Sequence, residues 1–454
     1  MSNNAALTQE YFQIIDSLDG DIAGRKTAYE YMQNSTAIVH HKVVDSTFIP
    51  KLFDAKSKAI LKETAQTAHA ILCKVMQRYL DDPKYRKLFK FDPRLEELIL
   101  LDRGYKSMLP FARVDVFFNE ETEEVRFCEF NADGSSGMNE QREISVSCAL
   151  SPSFKEFAKH HKVGLSELFN SWVKKFIKIY QQMPEYYIHP NFAIVDYLEN
   201  GVVDEFNIYA KIFEMNSFHT SIVDVRDLKF DGEELKAPDG TRIDAIWRRC
   251  VTNDVLEHWD ESQDLINAVR AGKVCLIGSF AGHIVHDKQI FRVLHMPETQ
   301  AFLTEEENAF VQKTVPYTTF LDAELIDLDA VKRERERWII KPSDAYASRD
   351  VYAGVSVTQE QWEELIDKYS KLEETKQFIV QEYITPYRTL ALAPDSGIDA
   401  QANDEVVTQP EYFNNLSGLY LFDGEFAGVF SRLGPLPVIS KDTKGFTAGT
   451  VWVD

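Results

Sequence analysis

The sequence predicts a protein that mixes α/β and α+β architecture, and three observations lead to this fold class. Apolar residues recur at helical spacing over residues 55–80. From residue 191 onward, strand-like and helix-like segments alternate, which is typical of a parallel sheet covered by helices. Residues 113–133 read as two antiparallel strands joined by a polar turn. The chain has 454 residues, enough for about two to four structural units with substantial cores.

Taken in order, the segments predict four units. Residues 1–100 have few strand signals, so we expect a helical N-terminal region. Residues 101–190 contain the hairpin and the helices that follow it, and residues 191–330 form a small α/β unit with short apolar strands. Residues 331–454 contain further strands, a helix that Thr358 caps with Gln361 as its capping-box partner, and a hairpin that turns at Asp423 and Gly424.

Composition and charge exclude several classes of partner. Fifty basic residues face seventy-two acidic ones, and the net charge of −22 argues against nucleic acid. No run of about 18 apolar residues occurs and the start has no signal-like pattern, so we expect no membrane segment.

The cysteines are odd in number, widely spaced and without a Cys-x-x-Cys pair, which predicts buried thiols in a cytoplasmic protein. They are Cys73, Cys128, Cys148, Cys250 and Cys275.

The hairpin carries the most informative residues of the chain. Because strand side chains alternate between faces, Arg113 and Asp115 share one face of the first strand, and Glu129 and Asn131 share one face of the second. If the turn is centred in the acidic stretch between the strands, Asp115 lies opposite Glu129 or Cys128, and Arg113 lies near Asn131. Two carboxylates and an amide oxygen would then converge beside an arginine.

Such a group of oxygen ligands suits magnesium that also holds nucleotide phosphates. The alternative is a sheet with one polar face in water, which by itself puts charged residues at every second position. The hairpin alone leaves both readings open.

Two further groups of residues are candidates for binding a substrate. The small-residue loop at residues 131–140 could hold a carboxylate or phosphate with its amides and hydroxyls. Its alternative is a helix-entry turn capped by Ser135 or Ser136. Arg248 and Arg249 end a strand, where they could face an anionic ligand or form an ion pair.

Two lysines lie at the ends of predicted elements. Lys341 ends a strand beside a polar loop, and Lys288 opens a helix. For Lys288 alone, an exposed lysine at a helix start is the simpler explanation.

Taken together and in this order, these motifs resemble a known family. The chain is similar to the glutathionylspermidine synthases and related circularly permuted ATP-grasp ligases over residues 113–453, about three quarters of its length. Ordinary ATP-grasp enzymes carry the metal-binding Asp, Glu and Asn after the nucleotide-binding lysines, whereas here they come first. The matching motifs are Arg113-x-Asp115, Glu129-Phe-Asn131-Ala-Asp133, Asp287-Lys288, Ile340-Lys341-Pro342 and Val380-Gln381-Glu382.

The resemblance implies a circularly permuted ATP-grasp fold, with residues 191–330 as a preATP-grasp-like unit. It implies that Asp115, Glu129 and Asn131 hold Mg²⁺ between the phosphates of ATP. Arg113 would lie against the transferred phosphoryl group. Lys288 and Lys341 would contact ATP phosphates, and the backbone of Gln381, Glu382 and Tyr383 would read the adenine edge.

The resemblance further implies an ATP-dependent carboxylate–amine ligase that forms an amide bond through an acyl-phosphate. Its substrates would be a small carboxylate, such as a peptide like glutathione, and an amine or polyamine. The carboxylate is expected at Asp133, Ser135, Ser136 and Glu140, and a second acidic group at Arg248 or Arg249. The amidase half of the bifunctional enzymes is missing.

The segment after Lys341 departs from the family pattern. Family members have a glycine-rich lid there, whereas this chain has residues 345–351 without glycine. Arg349 keeps the place of the central lid arginine, but Asp350 adds a negative charge beside it. The lid therefore motivates a second hypothesis, a nucleotide-binding protein with little or no turnover that acts as a regulatory or assembly partner.

Overall fold

The structure is a computed structural model. It describes residues 2–39, 42–199, 201–345, 349–371, 377–394 and 409–454.

A large, mostly antiparallel sheet forms the centre of the fold. Its strands follow the order Ser46–Asp54, Phe446–Val453, Glu425–Gly434, Glu411–Phe422, Phe111–Phe118 and Val125–Asn131. The first two strands are parallel and the other neighbours are antiparallel. The short strands Val163–Gly164 and Arg388–Ala391 pair with Phe446–Val453 and Glu411–Phe422. The predicted turn at Asp423 and Gly424 is confirmed, and both residues have positive φ, 50° and 80°, as a tight hairpin turn requires.

The expectation of a helical N-terminal region is wrong for the strand Ser46–Asp54 and for the short ribbon of Ile38–Val39 and Lys42–Val43. Ser46–Asp54 is a strand of the large sheet, and its partner lies at the other end of the chain. Local sequence gives little sign of such a pairing, because the segment contains Pro50 and Lys51, which strands generally lack. The edge position of the strand accommodates the proline. The helices of this region are Asn3–Ser17, Ile22–Gln33, Ala55–Asp81, Pro83–Arg86 and Pro93–Ile99.

The main core lies between the long helix Ala55–Asp81 and one face of the large sheet. Leu61 and Leu72 of the helix join Val114 and Val116 of the sheet in one buried cluster. Burial of these apolar side chains fixes the position of the first hairpin strand, Phe111–Phe118, against the helix.

A four-stranded parallel sheet forms the α/β unit that the alternation predicted. Its order is Cys275–Ile277, Ala245–Arg248, Asn191–Asp196 and His219–Asp224. Helices Phe169–Tyr180 and Val203–Met215 contribute to the core on one side, and helix Gln263–Arg270 to a second core.

A smaller antiparallel sheet faces the hairpin. Its order is Thr318–Phe320, Phe378–Glu382, Trp338–Pro342 and Tyr352–Ala353. Helices Leu328–Arg333 and Gln359–Tyr369 pack on it, and Thr358 and Gln361 form the predicted capping box. The predicted unit boundaries do not follow the sheets, because Thr318–Phe320 belongs to this sheet and residues 411–454 join the large one. The boundaries themselves stay a prediction.

The remaining helices connect these layers. They are Met138–Leu150, Pro152–His160, Thr252–Glu257, His283–His286, Gln289–Leu294, Pro297–Gln300 and Glu305–Thr314. Two short ribbons pair Ile38–Val39 with Lys42–Val43 and Lys229–Phe230 with Leu235–Lys236. Among the described residues, none of the helices combines the length and apolar character that a membrane crossing demands. All five cysteines are free thiols.

Candidate functional site

The hairpin has the register that its sequence predicts. Arg113 lies opposite Asn131, and Asp115 lies opposite Glu129. The pairing shifts directly after Asp115, so Val116 faces Phe127 and Cys128 is the extra residue of a bulge. The four polar side chains thus come together at the end of the hairpin.

Asp115 is buried between two arginines. Arg113 donates to both of its oxygens, Nε to Oδ1 at 2.8 Å and Nη2 to Oδ2 at 3.1 Å. Arg432, from strand Glu425–Gly434, donates from Nη2 to Oδ2 at 2.5 Å. Asp115 is 0% exposed, so its charge is compensated by protein groups alone.

A glycine on the neighbouring strand makes room for this arrangement. Gly418 pairs with Asp115. A Cβ at this position would lie 2.7 Å from Cδ of Arg113 and 2.9 Å from Oδ1 of Asp115. Glycine is therefore required here by close approach.

Glu129 remains ionised and accessible. Burial alone would raise its pKa, but Lys288, Arg432 and Arg113 lower the pKa to about 2. Asn131 donates from Nδ2 to its Oε1 at 3.2 Å. The side chain keeps 32% of its surface exposed, so a cation in the cleft can reach it.

The oxygen donors fit a magnesium ion only in part. Glu129 and Asn131 offer hard oxygens that suit Mg²⁺. Asp115 has both oxygens engaged by guanidinium groups, so only its remaining lone pairs are open to a metal in this arrangement. Within the described part of the chain, no group of three or more His, Cys, Asp and Glu side chains is arranged to hold a metal ion.

The two lysines lie beside this group. The backbone N–H of Lys288 donates to Ser343 O at 2.8 Å, and its Nζ donates to Ala345 O at 2.9 Å. Lys341 donates from Nζ to Gln381 Oε1 at 2.8 Å. Burial lowers the pKa of Lys341, and the charge of Lys288 lowers it further. Lys288 is only 7% exposed, so it is not the exposed helix-start lysine of the simpler explanation.

A cleft joins these residues between the small and the large sheet. The space between its walls is about 730 Å³ and includes open solvent. Side chains from six separated chain segments line it. They include Glu129, Lys288, Lys341, Gln381, Glu382, Tyr383 and Arg432, with apolar walls from Phe117, Phe127, Ile339, Leu416 and Val438.

The predicted adenine segment lines the cleft, but its amides are engaged. The N–H of Glu382 donates to Tyr317 O at 2.9 Å, and the N–H of Tyr383 donates to Arg337 O at 2.8 Å. Any adenine contact from this segment must therefore come from its carbonyl oxygens or from the next residue, Ile384, which also lines the cleft.

The segment after Lys341 is described only at its ends. Residues 346–348 of the predicted lid lie outside the described residues. Arg349 is exposed and does not line the cleft. Asp350 accepts hydrogen bonds from the hydroxyls of Tyr352 at 3.0 Å and Tyr369 at 3.3 Å, so its carboxylate is bound away from the cleft.

Asp133 and Arg248, both predicted to bind substrate, pair with each other in the structure. Their side chains are 0% and 1% exposed and form an ion pair. Arg248 also donates to Gly278 O at 2.7 Å and to Cys250 O at 2.6 Å. Thr252 donates its N–H to Asp133 Oδ2 at 2.7 Å. These contacts engage both side chains, and their substrate role stays a prediction.

Arg249 anchors the small-residue loop. It is 6% exposed and donates from Nη1 to Ser135 O at 2.7 Å. The Ser136 carbonyl accepts from Arg113 Nη1 at 2.9 Å and from the Tyr420 hydroxyl at 3.1 Å. The loop is thus held through carbonyl oxygens, while the half-buried side chains of Ser135 and Ser136 remain candidates.

The helix after the loop is capped by a distant acid. Its N-terminus follows Gly137, and Glu205 accepts the N–H of Asn139 at 3.0 Å, so neither Ser135 nor Ser136 is the cap. Burial and the charge of Glu205 raise the pKa of Glu140 to about 7. Glu140 is therefore a half-buried carboxylate that changes protonation near neutral pH.

Comparisons with known proteins identify the fold. No family model and no curated protein matches the sequence. Among solved structures, the chain is similar to a glutathione synthetase-like effector from Globodera pallida in its apo form, with a TM-score of 0.62, 9% identity, and coverage of 94% of this chain and 96% of that one. A structure described as a gamma-glutamylcysteine synthetase from Methylobacillus flagellatus gives a TM-score of 0.44 and 12% identity over 80% and 82% of the chains, too low to carry an argument. The chain therefore has a mixed α/β fold of the glutathione synthetase-like kind.

Proposed function

We propose that the protein is an ATP-dependent carboxylate–amine ligase, an ATP-grasp enzyme of permuted order related to glutathionylspermidine synthases. One observation carries the proposal: residues from four separated segments, each matching a motif of that family, line a single cleft between two sheets. The fold shared with a glutathione synthetase-like protein supports it.

The cleft suits a nucleoside triphosphate as substrate. Lys288, Lys341 and Arg432 provide cationic groups for the phosphates, and the apolar walls suit a purine ring. The five free thiols fit a cytoplasmic enzyme.

Glu129 and Asn131 would hold magnesium, with Asp115 as a third ligand once Arg432 turns toward the phosphates. Bound magnesium supplies neutralising charge to the phosphates. Lys288 and Lys341 add positive charge from the other side, and the low pKa of Glu129 keeps its carboxylate ionised for this task.

In the proposed reaction, a substrate carboxylate attacks the γ-phosphate of ATP, an acyl-phosphate forms and ADP leaves. An amine then attacks the acyl carbon and releases phosphate. Arg113, fixed by Asp115 and Ser136, would stabilise the negative charge that develops on the transferred groups. The carboxylate substrate would be a small molecule such as a peptide like glutathione, held near Ser135, Ser136 and Glu140, and its partner an amine or polyamine.

Amine-dependent phosphate release tests the proposal directly. The wild type is incubated with ATP, magnesium and a panel of small peptides and amines, beside E129Q and a matched hairpin-tip variant, E124Q. We expect release with at least one pair of substrates, and loss of that release in E129Q alone. Full activity in E129Q would show that the assigned site is wrong.

A second candidate function is nucleotide binding without turnover, in a regulatory or assembly role. Two observations favour it: both oxygens of Asp115 are already bound to arginines, and the segment after Lys341 lacks glycine. Binding of magnesium-ATP by calorimetry, with no phosphate release across a wide panel, would support this function over the ligase.

A further inference from the structure

A buried histidine stands between two acids that belong to different sides of the cleft. The His283 side chain is 1% exposed. Its Nδ1 lies 3.6 Å from Oδ2 of Asp133, and its Nε2 lies 3.5 Å from Oδ2 of Asp344. Neither ring nitrogen has a hydrogen-bond partner among the described residues, so the two contacts are ion pairs when the imidazole is protonated.

On one side, Asp133 is the root of the loop at residues 134–137, which Arg113 and Arg249 hold through its carbonyls. The segment that carries His283 packs tightly against this root. A Cβ at Gly282 would lie 2.5 Å from the carbonyl oxygen of Ala132.

On the other side, Asp344 lies three positions after Lys341. Its neighbours Ser343 and Ala345 accept hydrogen bonds from the backbone and Nζ of Lys288. Asp344 is partly exposed, at 25% of its side chain. The imidazole of His283 therefore connects the loop at residues 134–137 with the segment Ser343–Ala345, which follows Lys341.

The charge state of His283 follows from its neighbours. Burial lowers its pKa, but Asp344 and Asp133 overcome this and raise the pKa to about 9. The charged and titratable groups around it are Asp133, Asp344, Asp287, His286, Lys288 and Arg248. At neutral pH the ring is cationic and pairs with both acids.

We propose that His283 is a positioning residue that ties the Ser343–Ala345 segment to Asp133, so that the nucleotide side and the loop side of the cleft are ordered together. The role in nucleotide binding rests on the proposed function. The contacts of His283 with Asp133 and Asp344, called the His283 tie below, do not depend on it.

Hydrogen exchange in the free protein tests the tie. We compare amides of residues 339–345 in wild type, H283Q and the matched control H295Q, in which a half-buried histidine on a separate contact, Nε2 to Val315 O at 3.1 Å, is replaced. We expect about tenfold faster exchange in H283Q at pH 7 and no change in H295Q. D344N removes the charge of the partly exposed acid that contacts His283. It should therefore also speed exchange in residues 339–345, even if H283Q folds poorly.

The pH dependence of hydrogen exchange distinguishes an ion pair of His283 from apolar packing of its ring. A histidine with a raised pKa stabilises the fold fully below its unfolded pKa, and this contribution is lost as pH rises through about 9. The exchange ratio of H283Q to wild type should therefore fall toward one by pH 10. A ratio that stays constant with pH, or exchange in both H283Q and D344N that equals wild type, would overturn the inference.

Magnesium-ATP titration of the same variants adds the functional arm. We expect the Kd of H283Q and D344N to rise about tenfold, with H295Q unchanged. If the wild type binds no nucleotide, the proposed function fails. The exchange experiment still tests whether His283 holds Asp344 to Asp133. If the wild type binds and both variants bind equally well, the positioning role is wrong.

Discussion

Substituting Gly418 by alanine adds one methyl group where the site has no room for it. The new Cβ would lie 2.7 Å from Cδ and 2.8 Å from Nε of Arg113, and 2.9 Å from Oδ1 of Asp115. Ordinary carbon contacts lie at about 3.5 to 4.0 Å. Arg113 must therefore move by about 1 Å, because the methyl group is fixed to a central strand.

The size of the effect follows from the bonds that this shift breaks. Arg113 reaches Asp115 at 2.8 and 3.1 Å and Ser136 O at 2.9 Å. A displacement of about 1 Å takes these contacts beyond hydrogen-bond range. Charge-assisted bonds contribute about 1.5 to 3 kcal/mol each, and water recovers part of the loss, so we expect destabilisation of about 2 to 4 kcal/mol. A misplaced group of this kind also lowers turnover about 100-fold.

The assay compares G418A with G164A by urea unfolding and by amine-dependent phosphate release. Gly164 is an exposed strand glycine, and a Cβ there meets nothing within 4 Å. G164A should therefore behave as wild type. If G418A matched G164A in both stability and turnover, the crowded arrangement of Arg113 and Asp115 would be refuted.

Three other changes have defined outcomes. R248M removes the guanidinium that pairs with the buried carboxylate of Asp133, so we expect the free energy of unfolding in urea to fall by about 3 to 5 kcal/mol; an unchanged midpoint would contradict the structural role. For Glu140 the raised pKa of about 7 means that the folded state loses stability as pH rises from the unfolded pKa through 7. The Tm of wild type should accordingly fall relative to E140Q between pH 4.5 and 8, and a constant difference would count against it. E129Q should raise the magnesium concentration needed for half-maximal turnover about tenfold or abolish turnover, and an unchanged magnesium dependence would exclude Glu129 as a ligand.

Local alternation was enough to predict the hairpin register. The faces of Arg113, Asp115, Glu129 and Asn131 follow from strand periodicity. The polar turn left Glu129 or Cys128 as the residue opposite Asp115, and the bulge in the structure selects Glu129. The parallel strands and the capping box at Thr358 follow from equally local patterns.

Contacts between distant segments could not be predicted in this way. Arg432 binds Asp115 across 317 positions of the chain, and no local pattern encodes such a pair. A glycine inside the apolar strand Glu411–Phe422 was the available signal for a close approach at Gly418. For Arg248 the sequence left open an anionic ligand or a surface ion pair. The burial of its pair with Asp133 could not be predicted, because it depends on how the parallel sheet packs against the hairpin.

Calorimetric titration of magnesium-ATP into wild type, K341M and the surface control K62M tests the central claim most directly. Lys341 is a buried cation of the cleft, and Lys62 is exposed on the long helix. We predict that wild type and K62M bind with equal affinity and that K341M raises the Kd at least tenfold, because a desolvated phosphate contact is lost. Absence of binding to the wild type, or equal binding by all three proteins, would contradict a nucleotide site in this cleft.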